Sequence, residues 1–402
     1  MRQLMARLCC ALTGAVLGLF LTQNPVRADI ITEWNQTALT TLLRAQLPSG
    51  APTRGMAMVH LAMFEAVNSI EPRFQPFKAY VDAPAGASAP AAASAAAYRV
   101  LASLLPGQES TLERRHQVLL AGIPEGADKA AGISVGERAA AAILALCADD
   151  GADFSPAYTP VAGPGRYVLT STAVMASPSL GKMRPFILER SSQFRPPPPP
   201  ALDSEQFLRD LAEVKAIGDK ASTIRTKAQT DIALYHVPPG FIPWNAIARH
   251  AVQAKALDIV QSARAMALLN FATMDSQLAI WDAKYTYNSW RPATAIRAGG
   301  GATFTALLSE PMHPEYPCAH CGVGAASSLV LQGLFGSGPF PFSVASVPTA
   351  APRSFNSIRE YEEEEAISRL YGGVHFRWSN VVGEIVGKQV GERVLDALKP
   401  KN

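Results

Sequence analysis

The longest helical pattern in the chain covers roughly residues 244–290, and a run of that length settles the fold class before anything else does. It is far too long for a strand and longer than an ordinary globular helix, so a break near Asn270 is expected. The same apolar spacing appears from Met56 to Val67, in Met-Ala-Met-Val-His-Leu-Ala-Met-Phe-Glu-Ala-Val. Two Ala-rich helices follow, at 89–105 before Pro106 and at 136–148 before Asp149-Asp150-Gly151. Further helices are expected at 204–217, 222–235, 319–335, 356–371 and 380–398. Alternating strand patterns are scarce, so the chain reads as all-α. Two stretches are irregular. Residues 151–203, rich in Pro and Gly and including Pro196 to Pro200, read as a long excursion over the surface with a polyproline segment. Residues 336–355 form a second loop, placed between two motifs and expected to rim a site.

At the N-terminus, Arg2 and Arg7 precede an apolar stretch from Leu8 to Leu21, and a short polar segment ends Val26-Arg27-Ala28. This is the pattern of a secretory signal peptide over residues 1–28, too short for a membrane span. It predicts a periplasmic or secreted protein with no membrane anchor after cleavage, and residues 29–402 as a single helical domain. Cleavage removes Arg2, Arg7 and Arg27 and no acid. The 36 Lys and Arg become 33, equal to the 33 Asp and Glu. A neutral chain gives no reason to expect nucleic acid or an anionic membrane as partner, so any anion site must come from local clustering. Cys9 and Cys10 leave with the leader. Cys147, Cys318 and Cys321 remain, which suggests one disulfide, with Cys318 and Cys321 the obvious pair, and one buried thiol.

Three segments carry chemistry. In Lys284-Tyr-Thr-Tyr-Asn-Ser-Trp-Arg291-Pro292 the two cations are seven residues apart, two helical turns, so one helix would show both on one face. Pro292 should end that helix at Arg291. Alone, the segment reads as a solvated basic face with Asp282 as partner. In His313-Pro-Glu-Tyr-Pro317-Cys318-Ala319-His320-Cys321-Gly322, Pro317 and Cys318 lead into a helix beginning near Ala319, whose free N–H groups can bind an oxyanion. His320 in that first turn is disfavoured as a cation by the helix dipole, unless it faces an anion or acts as a neutral acid/base. An ordinary capped helix explains the segment equally well. In Ser368-Arg369-Leu-Tyr-Gly372-Gly373-Val-His375, the cation and the imidazole are six apart and Gly372-Gly373 can re-aim His375. Alone, His375 is a surface-loop histidine.

Together the three segments resemble the vanadium haloperoxidase and type 2 phosphatidic acid phosphatase superfamily. Its signature is a Lys with Arg-Pro seven positions on, then Pro-Ser-Gly-His, then Ser-Arg followed by His and, four residues later, Asp. Lys284 and Arg291-Pro292 fit the first block, Pro317 and His320 the second, and Ser368, Arg369 and His375 the third. The likeness extends upstream to Met56–Asn68 and Phe194-Arg195-Pro196-Pro197. It implies a multi-helix bundle of that type and a vanadate cofactor. His375 would be the vanadium ligand, or the nucleophile on phosphorus in a phosphatase. His320 would be the acid/base. Lys284, Arg291 and Arg369 would neutralise the equatorial oxygens, with Cys318 and Ala319 beside the anion. His313 and Trp281 would form the halide pocket, and His at position 313 favours bromide or iodide. The partners implied are hydrogen peroxide, a halide and a small organic acceptor; a homo-oligomer is left open. The function implied is a vanadate-dependent haloperoxidase. An acid phosphatase working through a phosphohistidine and a non-catalytic phosphate- or vanadate-binding protein stand as alternatives.

The pattern departs from the family at three positions. Cys318 stands where the family has Ser, and Ala319 where it has Gly. A thiol donates only weakly and would oxidise beside peroxide, which a Cys318–Cys321 disulfide would prevent. Ser379 stands at the Asp position, where it can hold the imidazole but supplies no charge, and this weighs against the phosphatase. Two rival sites are weaker. A zinc site on His313, Cys318, His320 and Cys321 lacks a second Cys/His pair, and a thioredoxin-type Cys-Ala-His-Cys lacks its βαβ context. His60 reads as a core residue, and His116, His236 and His250 receive no role. The acidic run Glu360–Glu365 reads as a solvated face with one acid bracing Arg369.

Overall fold

The computed structural model describes residues 29–401 apart from 79–80, 153–157, 160, 171–174 and 347–350. The expected leader at 1–28 therefore lies outside the described residues, as do parts of both irregular stretches. The described chain is all-α. Its helices are α1 (Ile30–Arg44), α2 (Ala51–Ile70), α3 (Ala89–Leu104), α4 (Glu109–Leu120), α5 (Ala127–Leu146), α6 (Glu205–Gly218), α7 (Lys227–Tyr235), α8 (Phe241–Ala254), α9 (Ile259–Tyr287), α10 (Pro292–Ala298), α11 (Ala319–Phe335), α12 (Ile358–Tyr371) and α13 (Arg377–Leu395). A small antiparallel pair, β1 (Phe342–Val344) and β2 (Arg353–Phe355), sits between α11 and α12 with Phe342 opposite Phe355.

Helix α9 is the axis of the fold. It is 29 residues long, about 43 Å at 1.5 Å per residue. Apolar residues surround it on nearly every face, so it is buried along most of its length against α2, α8, α11 and α13. The break expected near Asn270 is not there. The Asn270 amide donates to Met266 O at 2.8 Å and to Asn245 Oδ1 at 3.1 Å, so its polar group is satisfied without leaving the helix. The interruption falls earlier, at 255–258, where Ala256 takes φ +47° and Asp258 opens α9 with a capping box to Gln261. Likewise α7 begins at the Thr226–Gln229 capping box rather than at 222.

The stretch 151–203 does not stay on the surface. Leu180, Met183, Phe186 and Leu188 enter the core, and Asp275 of α9 accepts the N–H groups of Phe186, Ile187 and Leu188 at 2.9, 2.7 and 2.9 Å. Arg195 grips Asp282 with two bonds of 2.7 and 2.8 Å, so Asp282 is not the partner of a Lys284 face. Replacing Asp275 by Ala would strand three donors, two of them buried and worth about 1–3 kcal/mol each. We expect Asp275→Ala to lose on the order of 3 kcal/mol or more and to lower Tm by several degrees. Calorimetric unfolding measures it, and an unchanged Tm would contradict the clamp.

Helices α11 and α13 meet along a seam of glycines. A Cβ on Gly387 would stand 2.1 Å from Gly322 O, and one on Gly383 2.5 Å from Cys318 O, so only glycine permits this approach. The seam fixes the N-terminal end of α11 against the first turns of α13, and the functional side chains gather there. The 336–355 loop lies elsewhere, with Phe342 and Phe355 packed on Tyr361 and on each other. Among the described residues none of that loop lines the cavity described next.

Candidate functional site

Helix α9 ends at Tyr287 with Asn288 in the left-handed conformation, four residues before Arg291. Arg291 is extended and caps α10 instead. Lys284 and Arg291 are thus not two residues of one helical face; the turn at 288–291 brings them together. Both are completely buried, and Arg369 is 3% exposed. Lys284 Nζ donates to Pro314 O and Glu315 O at 2.9 and 2.7 Å. Arg291 is spread over His313 O at 3.1 and 2.8 Å, Val374 O at 2.9 Å and two imidazole nitrogens. Arg369 gives Nη1 to His236 O at 3.1 Å, while its buried Nε has no partner.

The hydrogen bonds assign the His375 imidazole, because a guanidinium can only donate. Arg291 Nη1 lies 3.3 Å from His375 Nε2, so Nε2 carries the lone pair and Nδ1 the proton. That proton is donated to Glu315 Oε1 at 2.8 Å. Glu315 Oε1 also accepts the Phe376 N–H at 3.1 Å, which fixes the carboxylate beside the ring. Ser379 Oγ is 3.5 Å from the same Nδ1. Ser379 is thus the more distant partner, and Glu315, in the second motif, places its carboxyl group behind the ring. His313 Nδ1 lies 3.0 Å from Arg291 Nη2 and 3.1 Å from Pro314 O. Trp281 lies 5.0 Å from His313, centroid to centroid, and sends its own N–H to Ala176 O at 3.1 Å.

His320 stands in the first turn of α11, as expected, and its Nε2–H is donated to Pro238 O at 3.1 Å. Nδ1 then holds the lone pair. The segment 236–240 therefore clamps both His320 and Arg369 through backbone carbonyls. Sequence reasoning gave this segment no role, although consecutive prolines leave carbonyls with no N–H of their own to compete. Cys318 and Cys321 form a disulfide with Cα atoms 5.4 Å apart. Cys318 Sγ accepts the Cys321 N–H at 3.3 Å, and the residue is fully buried away from the cavity lining. Cys318 is thus a helix cap rather than a group touching the anion. Beyond that cap, the N–H groups of Ala319 and His320 are the first-turn donors without an intrahelical acceptor. Thiol labelling of the unreduced, denatured mature protein should find only Cys147; three reactive thiols would remove the bridge.

Burial dominates the electrostatics. It holds His313, His320 and His375 well below the usual imidazole range, reinforced by Lys284 and Arg291 at His313, by Arg369 at His320, and by Arg291, Lys284 and Arg369 at His375. All three rings are neutral. Burial also lowers Lys284 and Arg291, and brings Arg369 to about 10. The nearby acids are pushed up by burial, Glu315 to about 7 against the pull of Lys284 and Arg291, and Glu365 to about 8 against Trp244 and Arg369. Glu365, the buried member of the acidic run, accepts from Trp244 Nε1 at 2.9 Å rather than pairing directly with Arg369. Burial thus disfavours the charged forms of the three bases and of the two acids alike. An anion in the cavity would offset the cost of keeping the buried bases charged.

His313, Ala319, His320, Arg369, His375 and Trp281 line one cavity of about 510 Å³, with Lys284 and Arg291 in the layer beneath. The free Nε of Arg369, the free N–H groups of Ala319 and His320 and the cavity-lining His375 Nε2, 3.3 Å from Arg291 Nη1, fit a tetrahedral or bipyramidal oxyanion. No group of three or more potential metal ligands from His, Cys, Asp and Glu occurs among the described residues, and the disulfide occupies both sulfurs that a zinc site would need.

Residues 264–401 match the family model described as the VCPO second helical-bundle domain. A comparison with curated protein sequences finds no match. Among solved structures, the chain is similar to the first bacterial vanadium-dependent iodoperoxidase, with TM-score 0.82 and 25% identity over 92% of this chain and 97% of that one. It is similar in fold to a bacterial vanadium-dependent chloroperoxidase in its holo form, with TM-score 0.73 and 18% identity over 88% of this chain and 93% of that one. The apo form of a bacterial chloroperoxidase gives TM-score 0.70 and 18% identity over 86% and 92%.

Proposed function

The chain belongs to the vanadium haloperoxidase and type 2 phosphatidic acid phosphatase superfamily, and on that premise we propose that it is a vanadate-dependent haloperoxidase oxidising iodide or bromide with hydrogen peroxide. The observation that carries the proposal is the state of His375. Its Nε2 lone pair stands at the cavity wall beside the buried bases Lys284, Arg291 and Arg369, and its Nδ1 proton is held by Glu315. Vanadate, when bound, supplies a Lewis-acidic centre that activates peroxide toward halide.

The residues have separable tasks. His375 Nε2 would hold the metal, and Glu315 would keep the ring in the required tautomer. Arg369, Lys284, Arg291 and the N–H groups of Ala319 and His320 would bind the oxygens. His320 Nδ1 would take up and return the proton. The His313 and Trp281 rings offer a half-polar place suited to a large, polarisable halide. Overall, halide, peroxide and one proton give hypohalous acid and water. An oxidising compartment, periplasmic or secreted, suits the disulfide beside this chemistry.

A second reading gains support from Glu315. A carboxylate behind His375 also makes it a better nucleophile toward phosphorus, so the acid phosphatase stays in view. Paired assays separate the readings. Vanadate-loaded protein should show halide-dependent halogenation with peroxide, and vanadate-free protein should show little phosphoester hydrolysis. Hydrolysis without halogenation would promote the phosphatase. Raised Tm with vanadate or phosphate, but neither activity, would favour a binding protein.

A further inference from the structure

Arg369 is tied to the protein by fewer bonds than the other two buried bases. Lys284 has two carbonyl acceptors and Arg291 is fastened to His313 O and Val374 O. Among the described residues the guanidinium of Arg369 has a single protein acceptor, His236 O. Where Arg369 points thus depends on where residue 236 lies. His236 closes α7, which packs on α12, and the prolines that follow at 238 and 239 have no N–H with which to tie the backbone down. The side chain does this instead. It is 3% exposed, makes T-shaped contacts with Tyr235 and Tyr361 at 4.8 and 5.0 Å, and its Nε2 lies 3.0 Å from Glu364 Oε1. Burial holds the ring below the usual imidazole range against the pull of Glu364, so it is neutral and donates Nε2–H to the carboxylate. Glu364 is steadied in turn by Arg353 Nη2 of β2 at 2.6 Å. Glu364 and Arg369 both belong to α12. The contacts therefore close a ring, from helix to carboxylate to imidazole, and from carbonyl to guanidinium back to the same helix.

We propose that His236 is a positioning residue of the oxyanion site: Glu364 anchors its ring, and its backbone carbonyl aims the guanidinium of Arg369 at the bound anion. The inference rests on the oxyanion-site reading and not on the reaction that follows, so it holds for vanadate and phosphate alike. It gives the acidic run on α12 a task. Glu364 stands outside the cavity lining and still sets how well the cavity binds, through one imidazole and one carbonyl. An outer partner that orients a group touching the anion is worth binding free energy without touching the anion itself.

The test is calorimetric titration of the whole vanadate-free protein with inorganic phosphate, repeated with vanadate. His236→Phe keeps a buried ring and the backbone carbonyl but loses the bond to Glu364, and phosphate should bind about tenfold more weakly. His236→Gln can place its amide N–H near the position of the imidazole Nε2–H and should stay within about threefold of the parent. Glu364→Ala, at a partly exposed side chain, should weaken binding in the same direction as His236→Phe. In an Arg369→Ala background the further loss from His236→Phe should shrink to about twofold or less, because the group it aims is gone. Phosphate binding by His236→Phe equal to that of the parent overturns the proposal, as does His236→Gln proving equally damaging. A full tenfold loss that persists without Arg369 overturns action through Arg369 and makes the effect one of packing alone. Should His236→Phe fail to fold, undiminished binding by Glu364→Ala overturns the anchor. A parent that binds neither phosphate nor vanadate overturns the oxyanion reading itself, and this inference with it.

Discussion

His375→Ala is expected to bring vanadate-dependent halide oxidation down to that of vanadate free in solution. Nε2 of this ring lies at the cavity wall 3.3 Å from Arg291 Nη1, with Nδ1 held by Glu315. His313 Nδ1 is engaged by Arg291 and Pro314 O, and His320 donates Nε2–H to Pro238 O. Among the described residues neither of these two rings is backed by a carboxyl group as His375 is by Glu315. The loss of vanadate affinity should therefore exceed the roughly 10- to 100-fold that follows removal of an outer partner of a metal-bound histidine. Vanadate titration by calorimetry reads it, with circular dichroism to check the fold. Halogenation that survives the substitution would place the metal elsewhere.

Glu315→Gln should weaken vanadate binding by about 10- to 100-fold while leaving the ring in place. The amide keeps a hydrogen-bond acceptor for Nδ1–H and removes only the charge, so the change isolates what the carboxylate adds to the basicity of Nε2. Ser379→Ala should do much less, since Ser379 Oγ stands 3.5 Å from Nδ1 against 2.8 Å for Glu315. The double variant Glu315→Gln with Ser379→Asp moves the carboxylate to the neighbouring position and should recover part of the loss. If Glu315→Gln binds vanadate like the parent, or if Ser379→Ala is the more damaging change, the assignment of Glu315 fails.

The helices were legible because their signals are local. The pattern over 319–335 gives α11, and that over 89–105 gives α3 to within a residue. What escaped depends on partners distant in sequence. Asn270 looks like a breaker until Asn245, 25 residues away, is seen to share its hydrogen bonds. The 151–203 stretch looks like surface until Asp275 takes three of its N–H groups. At the site, the motif spacings located Lys284, Arg291, His320, Arg369 and His375, but placed the first two on one helix face because nothing local announces the end of α9 at Asn288. Glu315 does not stand out in the sequence, where position 379 is the one the family signature gives to an acid. The two lie 60 and 4 residues from His375 in the chain, and only the fold reveals that the farther one is the closer partner.

The glycine seam between α11 and α13 also limits how the site can move. Backbone resting directly on backbone leaves no rotamers to exchange, so these two helices have no second way to pack. Neither can swing aside to admit a molecule. Breathing of the entrance is left to the segments before α8 and before α11, around 234–240 and 307–311, whose residues form the mouth. Traffic in and out of the cavity should thus be governed by two short loops, while the distance between His320 and His375 stays constant throughout a catalytic cycle.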